Sequence, residues 1–348
     1  MEITPANLNI LTTAVFVTYS QAYGVTESWQ EKFCTQFPCG TSNYMNAWLG
    51  MLDKLRVWNG PRIVRTPAPQ TYTVPIQKYE LTEGIDKFAI LDDQYSVYMP
   101  LFEMMGWNAK KWPDYEVRDL LFDQGAYTGA AQIGTDGVTH WNTAHPIDFY
   151  DASKGTYPND YRGGVSVDGI TVGGAFSANA FNTVWSDMNA RLSESLEKIG
   201  VMPNVTAGPA QLRGSMATVL NGQMFSLPNF GAMGTGPVGT ANGPFVGAMS
   251  NPLTGWTSIE IVEDFADNST WFMLDTRKPV KPFGWVLRQA AVMIPRVNPD
   301  DPAVFDTARF LYGVEARGVP VWGIPFLSSI SGPTASGSKK RSKKERRP

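Results

Sequence analysis

A chain of 348 residues is longer than one minimal core requires and suits two domains or one elaborate domain with extensions. With 43% apolar and 18% charged residues, 33 Gly and 25 Pro, the composition fits a folded, loop-rich protein and excludes a coiled coil or a disordered chain. No run approaches the ~20 apolar residues that span a bilayer, and the N-terminus lacks a basic n-region and cleavage site, so a soluble protein made in a cytoplasm, with no membrane partner, is expected.

Thr4 as N-cap and Pro5 at the first helical position open the first predicted element. Leu8, Leu11, Val15, Tyr19 and Ala22 then recur at helical spacing up to about Gly24. This helix carries no charged residue, which predicts that it lies on the body or on a neighbouring subunit. A short helix is expected around 45–52. Leu55 to Arg65 alternates as a strand, Pro67-Ala68-Pro69 interrupts it, and Tyr72 to Ile90 returns as a second strand with Pro75 marking an edge. Together these runs read as a long projecting hairpin with little core of its own, marginal in isolation.

After Asp92-Asp93, which are expected to cap it, the chain turns helical through Tyr98, Leu101, Phe102 and Met105. It continues from Asp114 to Gly125, with Pro113 splitting or kinking the run. The clearest periodicity follows: Phe181, Val184, Trp185, Met188, Leu192, Leu196 and Ile199, capped by Ser177 and stopped by Gly200, with Arg191, Glu194, Glu197 and Lys198 on the polar side. Residues 225–255 are dense in Gly, Pro and Asn and predict a long loop. Four apolar runs, starting at Ile259, Trp271, Gly284 and Phe310, then predict a late, mostly antiparallel closing sheet. The whole reads as α+β.

Few parts of a chemical site are present. Cys34 and Cys39 have the same four-residue separation as His140 and His145, but so loose a spacing does not make a zinc site; buried thiols and loop histidines are expected instead, and no cofactor. Asp92-Asp93 and Asp300-Asp301 sit beside turn signals, where sequence neighbours point apart rather than sharing acid–base work. Two histidines in one loop supply no nucleophilic triad, so no enzyme is expected. Charge is unevenly distributed. Of 29 basic and 32 acidic residues, the tail holds seven basic residues (Lys339, Lys340, Arg341, Lys343, Lys344, Arg346 and Arg347) and one acid, Glu345, leaving a body of 22 basic and 31 acidic. Such a body is no nucleic-acid surface, whereas the tail is suited to phosphates or to a partner's acidic patches.

One order of blocks is distinctive: Trp48-Leu49-Gly50, Leu55 to Arg62 (Leu-Arg-Val-Trp-Asn-Gly-Pro-Arg), Asp92-Asp93-Gln94-Tyr95 and His145-Pro146. Later come Trp271 to Pro282 and Phe310 to Gly318. In these blocks the chain resembles the Mu-like major head subunit family, the shell-forming proteins of Mu-like phages. The resemblance implies the Hong Kong 97-type capsid fold, with an N-terminal arm at 1–50, an E-loop hairpin at 51–90 and a peripheral domain with spine helix and insertion at 91–164. An axial domain at 165–257, the closing sheet of the peripheral domain at 258–330 and a basic tail at 331–348 complete it.

The function so implied is that of a major capsid protein in the virion shell, assembled in the host cytoplasm. Its partners would be itself, as pentamers and hexamers, then a portal protein, a decoration protein and packaged double-stranded DNA. The chain begins where the family usually begins, without an added scaffold segment, which implies a separate scaffolding protein. On this mapping the hairpin lies over an adjacent subunit, anchored by Trp58, Tyr72 and Tyr79, with Arg56, Arg62, Lys78 and Lys87 facing acidic groups. Lys78 and Lys87 lie where some shells of this fold form Lys–Asn crosslinks, but no matched Asn and acid accompany them. The alternative is a nucleic-acid-organising protein acting through the basic tail.

Overall fold

Thr4 begins the first helix as the sequence predicts: its hydroxyl accepts from the Asn7 N–H at 3.3 Å, and Pro5 occupies the first helical position of Pro5–Val25. The computed structural model describes residues 2–48, 70–92, 95–122, 124, 127, 133–134, 136–167, 170–222, 224–226, 248–265 and 267–333. It divides into two units, Met1–His140 with Val280–Ile324, and Trp141–Pro279 with Pro325–Pro348.

In the first unit, two helices share a core with a four-stranded sheet. Leu8, Leu11, Val15 and Tyr19 of the N-terminal helix pack with Phe102, Met105 and Ala109 of the long helix Met99–Leu121. The helices meet at Gly106, where a β-carbon would lie 2.4 Å from the Tyr19 carbonyl oxygen, a separation that any other residue would force apart. The sheet runs in the order Cys34–Pro38, Phe283–Arg296, Arg309–Trp322, Gln77–Asp86; the first pair is parallel and the others antiparallel. Strand alternation puts Phe310, Tyr312, Val314 and Ala316 inward, while Arg309 and Glu315 are exposed outward. Trp112 stands edge-on to Trp285 at 4.9 Å between ring centroids. Both rings crowd Gly318, where a β-carbon would fall 2.8 Å from Trp285 Cζ2.

The second unit has its own sheet, ordered Ser258–Ile261, Val205–Gly208, Trp271–Leu274, Ser328–Ser331, again with the first pair parallel and the rest antiparallel. The helix Ala178–Ala190, capped by Ser177, buries Phe181, Val184 and Met188.

Several sequence expectations change. Of the helix expected at 45–52, residues 45–48 lie instead in the strand Asn43–Trp48, because Tyr44 and Asn46 alternate toward a partner, Gln70–Pro75, that period-3.6 reasoning overlooks; residues 49–52 fall outside the described residues. The strand at Leu55–Arg65 falls outside the described residues. The return strand does not run on to Ile90: it leaves the hairpin at Pro75, becomes the sheet edge Gln77–Asp86, and ends in the short helix Lys87–Leu91. Pro113 does not split the long helix, which is continuous because burial of Ala109, Val117, Leu120 and Leu121 outweighs one missing hydrogen bond. Asp92 closes the Lys87–Leu91 helix rather than capping the long one, which begins after Tyr98; Asp93 is outside the described residues. The helix expected to reach Ile199 ends at Ala190. Arg191, assigned to a polar surface, is only 2% exposed, and its guanidinium pulls the chain away from the helix axis. A tight turn follows, with Leu192 bridged to Lys198 and Leu196 at φ 59°. The single closing sheet is two sheets, one in each unit.

Candidate functional site

The base of the hairpin is the best-defined part of the predicted contact region. Asn43–Trp48 and Gln70–Pro75 pair antiparallel, and cross-strand partners Asn46 and Tyr72 reach the same acceptor. Asn46 Nδ2 donates to the Trp322 carbonyl at 2.7 Å and Tyr72 Oη donates to it at 2.9 Å. Burial raises the Tyr72 phenol well above its ordinary pKa, so it stays a neutral donor. The hairpin is thereby fixed to the end of the central strand of the first unit. Tyr79 faces the core side: its hydroxyl donates to Glu116 Oε2 at 2.7 Å and its ring tilts against Trp112 at 4.9 Å. Burial first, and the Glu116 charge second, raise its pKa. Lys78 is exposed and Lys87 half-buried. Arg56, Trp58 and Arg62, and the tail residues Lys339 to Arg347, lie outside the described residues.

Pairing of Gln77–Asp86 with Arg309–Trp322 reveals charges that the linear reading left out. Lys78 stands directly opposite Arg317, and Glu80 directly opposite Glu315. The sequence does hold the signal: Lys-x-Glu on one strand and Glu-x-Arg on the other set like against like once the pairing is antiparallel. Without the register, nothing distinguishes these residues from ordinary surface charge.

The same unit holds a second polar anchor. Asp114 on the long helix is fully buried and accepts from Ser28 Oγ at 2.6 Å and the Gln30 N–H at 2.9 Å, with Lys111 Nζ at 3.3 Å. It thus fixes the segment that follows the N-terminal helix. Burial raises its carboxyl pKa, and the hydrogen bonds and Lys111 offset only part of that shift.

The Cys–His set does not assemble. Cys34 and Cys39 are free thiols, and burial raises the Cys34 thiol far above its ordinary range. His140 stacks on Trp322 at 4.2 Å and His145 on Tyr157 at 5.4 Å. Among the described residues no group of three or more His, Cys, Asp or Glu is placed to hold a metal ion. Asp301 takes a two-point ion pair from Arg296, at 2.6 and 2.7 Å. No described helix is long and apolar enough to cross a membrane.

Comparison with known proteins matches residues 8–167 and 254–333 to the family described as Mu-like prophage major head subunit gpT. A relative named major capsid protein, from Escherichia phage Mu, is 27% identical over 147 residues, which is 42% of this chain and 47% of that protein. The Mu-like prophage FluMu major head subunit of Haemophilus influenzae is 31% identical over 108 residues, 31% of this chain and 33% of that protein. The chain therefore spans half or less of the curated relatives it matches. Among solved structures, a chain of the procapsid of bacteriophage JBD30 superposes with a TM-score of 0.56 at 21% identity, covering 95% of this chain and 76% of that one. The α+β architecture is thus of the Hong Kong 97 capsid type.

Proposed function

The chain belongs to the Mu-like prophage major head subunit gpT family, and from that premise we propose that it is a major capsid protein whose copies associate into pentamers and hexamers and close an icosahedral shell around a phage double-stranded DNA genome. The observation that carries this reading is the extent of the family match, which runs through both units and over most of the chain. On this reading the chain is a structural component of the virion. Each copy meets its neighbours through surfaces that must be complementary around closed rotation axes.

The hairpin serves that end. Its base is anchored because Asn46 and Tyr72, one from each strand, both bond the Trp322 carbonyl. Arg56, Trp58 and Arg62 are the proposed distal anchors on an adjacent subunit, with Lys87 as a charged contact there; Lys78, on the sheet strand Gln77–Asp86, is proposed to face acidic groups of another copy, while Tyr72 stiffens the hairpin base and Tyr79 ties its strand to the long helix. The proposed division remains arm 1–50, E-loop 51–90, peripheral parts 91–164 and 258–330, axial domain 165–257 and tail 331–348. A scaffolding protein, a portal protein, a decoration protein and DNA complete the proposed partners.

The test is electron microscopy of the purified protein, produced alone and together with a candidate scaffolding protein. Shells or capsomer rings are the expected result, and dispersed monomers in both preparations would refute the reading. Deleting residues 337–348 separates two roles for the tail: an assembly role abolishes shells, while a genome role leaves shells that retain little DNA.

A further inference from the structure

We infer that the outward face of the first unit's sheet is a self-complementary contact, which takes the same face of a second copy related by a two-fold axis. The inference rests on the proposal that copies of this chain associate, and adds which surface they use and with what symmetry.

The observation is a pair of charge rows that the fold itself leaves uncompensated. Lys78 and Arg317 face each other across the strands, and one step along them Glu80 faces Glu315. Like charges directly opposite in an antiparallel pair, with β-carbons about 5 Å apart, destabilise a sheet. Two such pairs in succession are a cost that the opposite charges about 7 Å along the strands offset only in part, since none of the four side chains forms an ion pair with another. Lys78, Glu80 and Glu315 are exposed and Arg317 half-buried. Among the described residues, none of the four joins an ion pair, and the one hydrogen bond at these side chains is donated by Thr82 Oγ1 to Glu80 Oε2 at 2.9 Å. Beside the rows, Val292 and Ile294 on the neighbouring strand are 48% and 45% exposed, in register with Glu315 and Gly313. Gly313 leaves the centre of this face without a side chain.

Charge complementarity selects the occupant. The two rows carry equal and opposite charge, so between them they favour neither a polyanion such as nucleic acid nor a polycation. The rows lie about 7 Å apart, two residues along a strand. A two-fold axis lying in the contact plane, between the rows and parallel to them, brings the basic row of one copy over the acidic row of the other, twice. A second copy thus neutralises all four charges at once, and the exposed Val292 and Ile294 add apolar area to the same contact. At physiological salt, where screening acts over about 8 Å, such an arrangement discriminates strongly between matched and mismatched rows.

The test exploits that symmetry. Inverting all four charges (Lys78→Glu, Glu80→Lys, Glu315→Lys and Arg317→Glu together) preserves every cross-strand like pair and the self-complementarity. This variant is expected to assemble alone with a yield within about twofold of the unaltered chain. Mixed with the unaltered chain, it is expected to sort into separate particles, read as absence of energy transfer between differently labelled copies. Lys78→Glu with Arg317→Glu makes the face wholly acidic, and Glu80→Lys with Glu315→Lys makes it wholly basic. Each pair alone should lower assembly at least tenfold, and an equimolar mixture of the two should restore it. Circular dichroism establishes that each variant folds; where a half-changed variant does not, the fully inverted one decides.

An unaltered chain that fails to associate at all defeats the capsid reading and this inference with it. An unaltered chain that assembles while the half-changed variants assemble equally well overturns the inference alone. A folded, fully inverted variant that fails by itself, or that mixes freely with the unaltered chain, also overturns it, because the face would then meet a different surface or none.

Discussion

The two units are held together by different means. The first closes by apolar packing, with two helices pressed together at a glycine and an aromatic stack crowding another glycine on the sheet. The second relies at its closing strand on a single buried cation. Arg191 donates to the carbonyls of Phe326 and Ser328 at 2.7 and 3.1 Å, to that of Pro158 at 2.8 Å, and to Ser329 Oγ at 2.7 Å. Asp187, which accepts from the Tyr161 hydroxyl, lies 4.0 Å from the same guanidinium. Apolar packing tolerates small volume changes by local repacking, whereas a buried polar hub loses every partner together when its centre is removed. The second unit should therefore be the more fragile to one substitution, although its sheet is fully buried along three of its four strands.

The largest expected effect breaks the second unit alone. Arg191→Ala removes at once the hydrogen bonds to the carbonyls of Pro158, Phe326 and Ser328 and to Ser329 Oγ, together with the cation beside Asp187, and a loss of about 3–5 kcal/mol is expected. Hydrogen exchange should show Ser328–Ser331 and Val205–Gly208 exposed while the strand Arg309–Trp322 keeps its protection. Next comes the converse. Gly106→Ala sets a β-carbon against the Tyr19 carbonyl, so a loss of about 1–3 kcal/mol should appear in chemical denaturation, with exchange rising along Pro5–Val25.

Asp114 sharpens the comparison, since among the described residues it is the one fully buried carboxylate of the apolar first unit. Because burial raises its folded-state pKa above the ordinary 3.8, its contribution is fully present below that value and declines as pH rises through the folded-state pKa. The stability of the unaltered chain relative to Asp114→Asn should therefore fall between pH 3.5 and neutrality in urea titrations; a flat difference would mean the carboxyl titrates normally. The smallest effect is local. Thr4→Ala removes one cap and should cost about 1 kcal/mol, seen as fraying of the first turn.

Legibility in the sequence follows the same division. The N-terminal helix is readable because Leu8, Leu11, Val15 and Tyr19 satisfy one period and Thr4-Pro5 marks its start. The long helix is readable despite Pro113, since the buried stripe continues beyond it. Arg191 is not readable: as an arginine following Met188 at helical spacing, it looks like a solvated end, and only the three-dimensional convergence of carbonyls from residues 158, 326 and 328 makes it a hub. The hairpin base is missed for a related reason, since Asn43–Trp48 is too short to show its period without its partner. Of the expected contact residues, Tyr72 and Lys78 could be proposed from the chain alone, whereas Glu80, Glu315 and Arg317 acquire meaning only through the strand register.

The central claim, that this chain is built to associate with copies of itself, is tested most directly by sedimentation velocity of the purified protein over a concentration series. The account predicts that the 38.3 kDa chain gives way to discrete pentameric or hexameric species and then to particles of shell size. A single monomeric boundary at every concentration, with or without a scaffolding protein, would contradict it.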